Sequence, residues 1–328
     1  MIVEPARSVN GSREAKIFAR SSSPTNTTFG ISASLRNLIP PGVDIICVKS
    51  TGPFRNSIYI SRDNPSLMSE EDVMFRKLKT FNLVMGVIHL VQGMIMLALS
   101  NDFTLPVTRG FLDVVSGGTP GGMPNLEPAS EVIFNLPIGP LVASFLFISS
   151  MAHFMIGSAL FPKYVEGLNK GVNKYRWYEY ALSSSVMIVV ISMLVGIYDV
   201  GTLLLAFFIN MMMILFGLEM EKYNQFTQKT DWSTFIFGCI AGAIPWVVIA
   251  IWLFGAGGDG GGPPDFVYYI FISMGVFFNI FAVNMVLQYK KVGKWADYLY
   301  GERMYVILSL VAKSALAWQV FAGTLRPE

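Results

Sequence analysis

Seven apolar stretches divide this chain, at about 80–99, 138–161, 177–198, 201–219, 233–254, 266–288 and 304–325. A helix rises about 1.5 Å per residue and the hydrocarbon core of a bilayer is about 30 Å thick, so each stretch is long enough to span it. The pattern predicts an all-α membrane protein of seven transmembrane helices. The segment after the first stretch, about 101–136, is long, Gly/Pro-rich and acidic. The one after the fifth, GAGGDGGGPPD, reads as a flexible turn. Tyr198, Asp199, Val200 and Gly201 join the third and fourth stretches tightly.

Residues 1–68 differ from the rest. They are polar, rich in Ser, Asn, Thr and Arg, and show no sustained periodicity or signal-peptide pattern. Two readings stand: a disordered cytosolic extension, or residues upstream of a true start at Met68, which opens MSEEDVMFRKLKTFNLVMG. The chain therefore divides into an extension, 1–67, and a seven-helix domain, 68–328. Sequons at Asn10 and Asn26 matter only in a luminal location.

Composition agrees with a bilayer protein. Hydrophobic residues make up 53% and charged residues 14% of the 328, against about 25% charged in soluble domains. Cys47 and Cys239 suggest no disulfide framework. No phosphate-cradling loop, HExxH or Cys/His cluster with metal spacing is present, so metal, nucleic-acid and enzymatic roles find no support.

Charge orients the bundle. Arg76, Lys77 and Lys79 precede the first span, and Lys163, Lys170, Lys174 and Arg176 lie between the second and third. Lys222 and Lys229 follow the fourth; Lys290, Lys291, Lys294 and Arg303 separate the last two. The opposite ends hold only Arg109, Arg326 and several acids. Positive residues favour the cytoplasmic side, so the N-terminus is predicted inside and the C-terminus outside.

Within the last span, MYVILSLVAKSALAWQVFAGTL, one lysine stands out: Lys313, the tenth of 22 residues. A cation at that depth is costly unless paired or neutralised, and a buried amine can form a Schiff base with a carbonyl. Ser309, four residues earlier, shares its helix face. Both histidines, His89 and His153, are intramembrane, at depths of roughly 15 and 12 Å from the basic end, against roughly 15 Å for Lys313. A shared polar site follows. For its anion, Glu179, Asp199, Glu219 and Glu221 are all candidates. Glu179 forms an i,i+3 pair with Arg176, but hydropathy sets it only about 4 Å deep. Aromatic and methionine side chains, among them Met211–Met213, Trp246, Phe271, Phe277, Phe278 and Trp318, suit a rigid apolar ligand.

From about Met68 to Leu325 the chain resembles the heliorhodopsins. The likeness is densest in RWYEYALSSSVMI around Glu179, in FFNIFAVNMVLQYKKVGKWADYLYGER, and in SLVAKSALAWQVFAGTL around Lys313. The reversed topology is that family's hallmark. The resemblance implies a rhodopsin-like bundle with all-trans-retinal bound covalently to Lys313 as a protonated Schiff base. Glu179 matches the counterion and Ser309 its second neighbour. His89 and His153 match the histidines of a cytoplasmic-side cavity, suspected of receiving the Schiff-base proton. Asn210, Met213, Trp246 and Phe278 fall where pocket residues are expected. It further implies a homodimer in the cell membrane, the long 101–136 segment folding over the outer face, and a slow signalling photocycle with a cytoplasmic partner.

Pumping is disfavoured on the residues themselves. The position eleven after Glu179, a carboxylate in outward proton pumps, is Val190. Three classes remain: a light sensor, a light-gated proton or cation channel, and a retinal-free transporter or receptor in which Lys313 pairs with Glu179.

Overall fold

The structure, a computed structural model, describes residues 2–7, 13–18, 44–48, 57–61, 70–115, 125–255 and 262–326. The chain forms two units, Met1–Met74 and Phe75–Glu328. In the first unit, β1 (Ile2–Arg7) pairs antiparallel with β2 (Arg13–Phe18), and β3 (Asp44–Val48) with β4 (Ser57–Ser61). No order was expected there from periodicity. Runs such as Ile45-Ile46-Cys47-Val48 and Ile58-Tyr59-Ile60 are rich in β-formers but too short to register as a period. The two sequons and Met68 lie outside the described residues, as does most of the glycine-rich turn.

Among the described residues seven helices are long and apolar enough to cross a membrane. They are α1 (Glu70–Leu99), α2 (Ile138–Gly157), α4 (Lys174–Leu194), α5 (Val200–Tyr223), α6 (Ser233–Gly255), α7 (Asp265–Tyr289) and α8 (Tyr298–Val320), the last running on into a π-helical turn, Phe321–Leu325. Side-chain caps start three of them: Asn173 accepts from Arg176 N, Asp199 from Thr202 N and Asp297 from Leu299 N. Gly196, at φ +95°, supplies the left-handed residue for the turn into α5.

Two elements depart from the sequence pattern. The second span ends at Gly157, and a short helix, α3 (Phe161–Asn169), begins with Pro162 in its first turn. It buries Tyr164 and Leu168, one turn apart, and leaves Lys163 and Glu166 exposed. The 101–136 segment holds a long antiparallel hairpin, β5 (Thr104–Val115) with β6 (Asn125–Pro137). Its glycines and prolines conceal the strands from pattern reading. A bulge lies at Val107/Thr108, and Thr108 N–H donates to Tyr198 O at 2.9 Å, which ties the hairpin to the α4–α5 turn.

Arg176 near the start of α4 meets Glu221 near the end of α5 and Glu302 near the start of α8. These termini therefore share one end of the bundle, the basic end. At the other end Asn101 N–H donates to Leu325 O. The half toward that end is packed with Phe145, Leu146, Ile188, Ile191, Leu316 and Val320, all essentially inaccessible. Leu204, Leu205, Phe208, Ile240, Ile251 and Ile272 stay exposed on α5, α6 and α7, as a lipid-facing surface requires. Gly217 lets α4 and α5 approach: a Cβ there would collide with the Trp177 ring.

Candidate functional site

On α8 the residues Tyr305, Ser309 and Lys313 recur every four positions, so they form one stripe. Across from them α4 turns Arg176, Glu179, Tyr180 and Ser183 inward. The stripes meet at Lys313. Its Nζ donates to Glu179 Oε1 at 2.8 Å and to Ser309 Oγ at 2.7 Å, and all three residues are buried. Bonding Ser309 draws the amine about one turn, ~5 Å, back from its own Cα toward the basic end. That reach removes much of the depth difference that hydropathy assigns to Lys313 and Glu179.

The carboxylate has a second partner: Ser149 of α2 donates to Glu179 Oε1 at 2.6 Å. The Tyr180 ring lies 5.0 Å from Lys313 Nζ, placed for a cation–π contact, and its hydroxyl donates to Tyr305 O at 2.7 Å. Neither Ser149 nor Tyr180 is singled out by the sequence. A serine in an apolar span looks like packing until its partner is known. The spacing of Ser149 and His153, four residues apart on one helix face, was the available signal.

His153 continues that face. Its Nδ1 lies 2.9 Å from Asn82 Oδ1, and its ring stacks on His89 with centroids 5.6 Å apart and planes 10° from parallel. His89 is fully buried, and neither of its ring nitrogens has a partner among the described residues. The histidines therefore form one stacked pair, with His153 one turn along α2 from Ser149, the serine that bonds Glu179.

The other anion candidates are engaged elsewhere. Arg176 does not pair with Glu179; its guanidinium bridges Glu221 and Glu302. Glu219 pairs with Lys222 at 2.8 Å on the surface. Asp199 caps α5, and hydrogen bonds from the Thr202 backbone and hydroxyl hold its carboxyl below the usual range.

Beside Lys313 opens a cavity of about 480 Å³. Such a volume suits a small-molecule ligand, for which sites run ~300–1,000 Å³. Its walls include Met213, Trp246, Phe278 and Tyr180, together with Lys313 and Ser309. Trp246 packs edge-on against Phe278, centroids 5.4 Å apart. Gly242 keeps the wall open, since a Cβ there would strike Met213 Sδ. An apolar ligand carrying an aldehyde fits this donor set: aromatic walls, a reactive amine in the lining and a buried anion beside that amine. Asn210 is not among the lining residues; it donates to the hydroxyls of Ser184 and Ser185 at 2.8 and 3.1 Å, behind the wall. His89 and His153 also lie outside the cavity lining. Among the described residues no His/Cys/Asp/Glu group is arranged to hold a metal ion.

A family model described as Heliorhodopsin matches residues 78–325, well over half of the chain. No curated protein matches it.

Proposed function

Because this chain belongs to the heliorhodopsin family, we propose that it is a multi-pass membrane photoreceptor that holds all-trans-retinal on Lys313 and signals rather than pumps. The observation that carries this reading is the buried Lys313–Glu179 pair, whose lysine lines an apolar cavity. Retinal, when bound, supplies the visible absorption and a light-driven change of shape. The protein's own residues do the rest. Lys313 provides the amine for the covalent link, as a protonated Schiff base. Glu179 balances the positive charge, Ser309 and Ser149 orient that carboxylate and nitrogen, and Met213, Trp246 and Phe278 confine the polyene. Asn210 acts from behind the wall through Ser184 and Ser185. The His89–His153 pair, on the Ser149 face of α2, is the place where a proton released from the site is received.

Two features favour sensing over transport. Val190, at the position where outward pumps carry a second carboxylate, is buried among apolar side chains. The half of the bundle away from the basic end is sealed by Phe145, Leu146, Ile191 and Leu316, with no acid lining it among the described residues. We assign the basic end, and with it the N-terminus, to the cytoplasm on the distribution of Lys and Arg. A cytoplasmic signalling partner, a homodimer in the cell membrane and the absence of catalytic turnover complete the proposal.

Illuminated whole-cell recording separates sensor from channel: no photocurrent is expected, and a robust one overturns the choice. Borohydride trapping followed by peptide mass spectrometry locates the link. The retinyl adduct is expected on the Lys313 peptide, and an adduct elsewhere, or none, refutes the attachment.

A further inference from the structure

The bundle holds a second buried charged group, at the basic end, which the chromophore reading does not use. Arg176 donates through one terminal nitrogen to Glu302 Oε1 and through the other to Glu221 Oε1. Asn173 completes the ring, its side-chain amide donating to Glu302 Oε2 at 2.7 Å and its backbone N–H to Glu221 Oε2 at 2.9 Å. The three charged side chains are each 4% exposed or less. Charge does not balance: two carboxylates face one guanidinium, and no other Lys or Arg bridges them among the described residues. An uncompensated buried charge is strongly disfavoured, and neighbouring carboxylates resist ionising together.

The surroundings supply no second cation either. The titratable groups that face the carboxylates are phenols: Tyr164 of α3, Tyr289 of α7, and Tyr298 and Tyr305 of α8. Buried polar atoms at this end lack hydrogen-bond partners among the described residues. Tyr305, 1% exposed, has a hydroxyl with no close partner among the described residues, and its ring centre lies 3.8 Å from the Arg176 guanidinium carbon. Arg176 Nε likewise has no partner among the described residues. The Tyr305 hydroxyl can both donate and accept, so it can extend a hydrogen-bonding path for a proton.

We propose that Arg176, Glu221 and Glu302 form a proton-binding site that holds one proton, divided between the two carboxyls, at neutral pH. The site then carries no net charge: one guanidinium, one carboxylate and one carboxylic acid. It ties α4, α5 and α8 together at the basic end, three residues along α4 from Glu179, and so is placed to exchange a proton with that end of the bundle. The inference rests on the fold and does not require the retinal reading.

Solid-state NMR of the full chain in bilayers, with ¹³C-labelled glutamate carboxyls, tests it directly. At pH 7 the wild type is expected to show one glutamic acid carbon at the protonated position. Glu221→Gln and Glu302→Gln keep the shape and an acceptor oxygen, and each is expected to abolish that signal, because one carboxylate then faces one guanidinium. Glu179→Gln is expected to retain it. No protonated glutamate in the wild type overturns the proposal; so does a signal that survives both glutamine variants, or one lost only in Glu179→Gln. A reading of the chromophore band, or of helix content by circular dichroism, identifies variants that fail to fold. If one of the pair does fail, the other still decides.

Discussion

Replacing Glu179 with Gln in the retinal-free protein removes the anion while keeping the side-chain volume. Lys313 Nζ and Glu179 Oε1 are 2.8 Å apart. Two unit charges at that distance attract by about 6 kcal/mol at an effective dielectric of ~20. Desolvation of both groups offsets part of this, and breaking a buried pair from one side typically costs ~3–5 kcal/mol, because the remaining charge is left unpaired. Ser149 also loses an ionised acceptor, within the ~1.5–3 kcal/mol usual for a hydrogen bond to charge. Glu179→Gln should therefore lower stability by about 3–5 kcal/mol, while the double variant Glu179→Gln/Lys313→Met recovers most of that loss. Reversible denaturant titration in mild detergent, followed by circular dichroism, measures both. A loss below ~1 kcal/mol for the single variant, or no recovery in the double, would refute the view that the two groups form one buried ion pair.

Three further outcomes follow from neighbouring contacts. Tyr180→Phe should shift the absorption of the retinal-loaded protein less than Tyr180→Leu, since the ring rather than the hydroxyl faces Lys313; equal shifts would contradict the cation–π placement. Gly217→Ala forces a Cβ into the Trp177 ring and should cost ~1–3 kcal/mol by the same titration, whereas a neutral result would show that the α4–α5 approach is not tight. Asp199 is held ionised by its cap bonds to Thr202, so its contribution is present above the unfolded value of about 4 and is lost as pH falls through its lower folded value. Asp199→Asn keeps a capping oxygen and should flatten the loss of stability below about pH 4 in an acid titration; an unchanged acid limb would remove Asp199 as a contributor.

How much of this was legible in the chain varies with the kind of signal. The seven spans and their alternating charge follow from hydropathy, which acts over twenty residues at a time and tolerates local noise. Ser309 was found because i,i+4 spacing fixes a shared helix face. Glu179 was harder: depth counted along the axis ignores that Lys313 leans back a full turn to Ser309, so the pair looked mismatched. Ser149 offers only its spacing from His153, and Asn82 offers nothing, since a lone small polar residue in a span gains meaning from what faces it across the bundle. The β5–β6 hairpin was hidden by Pro106, Gly110 and Pro128, residues that usually mark irregular chain. Local i,i+3 spacing sets Arg176 beside Glu179, whereas the fold brings it Glu221 from α5 and Glu302 from α8.

The central claim is that Lys313 carries retinal. The most direct measurement is the visible absorption spectrum of the chain expressed with all-trans-retinal, beside that of Lys313→Ala prepared in the same way. A visible band is expected in the first and none in the second, although Lys313→Ala should still fold, as circular dichroism would report. Absence of the band in the unaltered chain, or its persistence in Lys313→Ala, would contradict the claim.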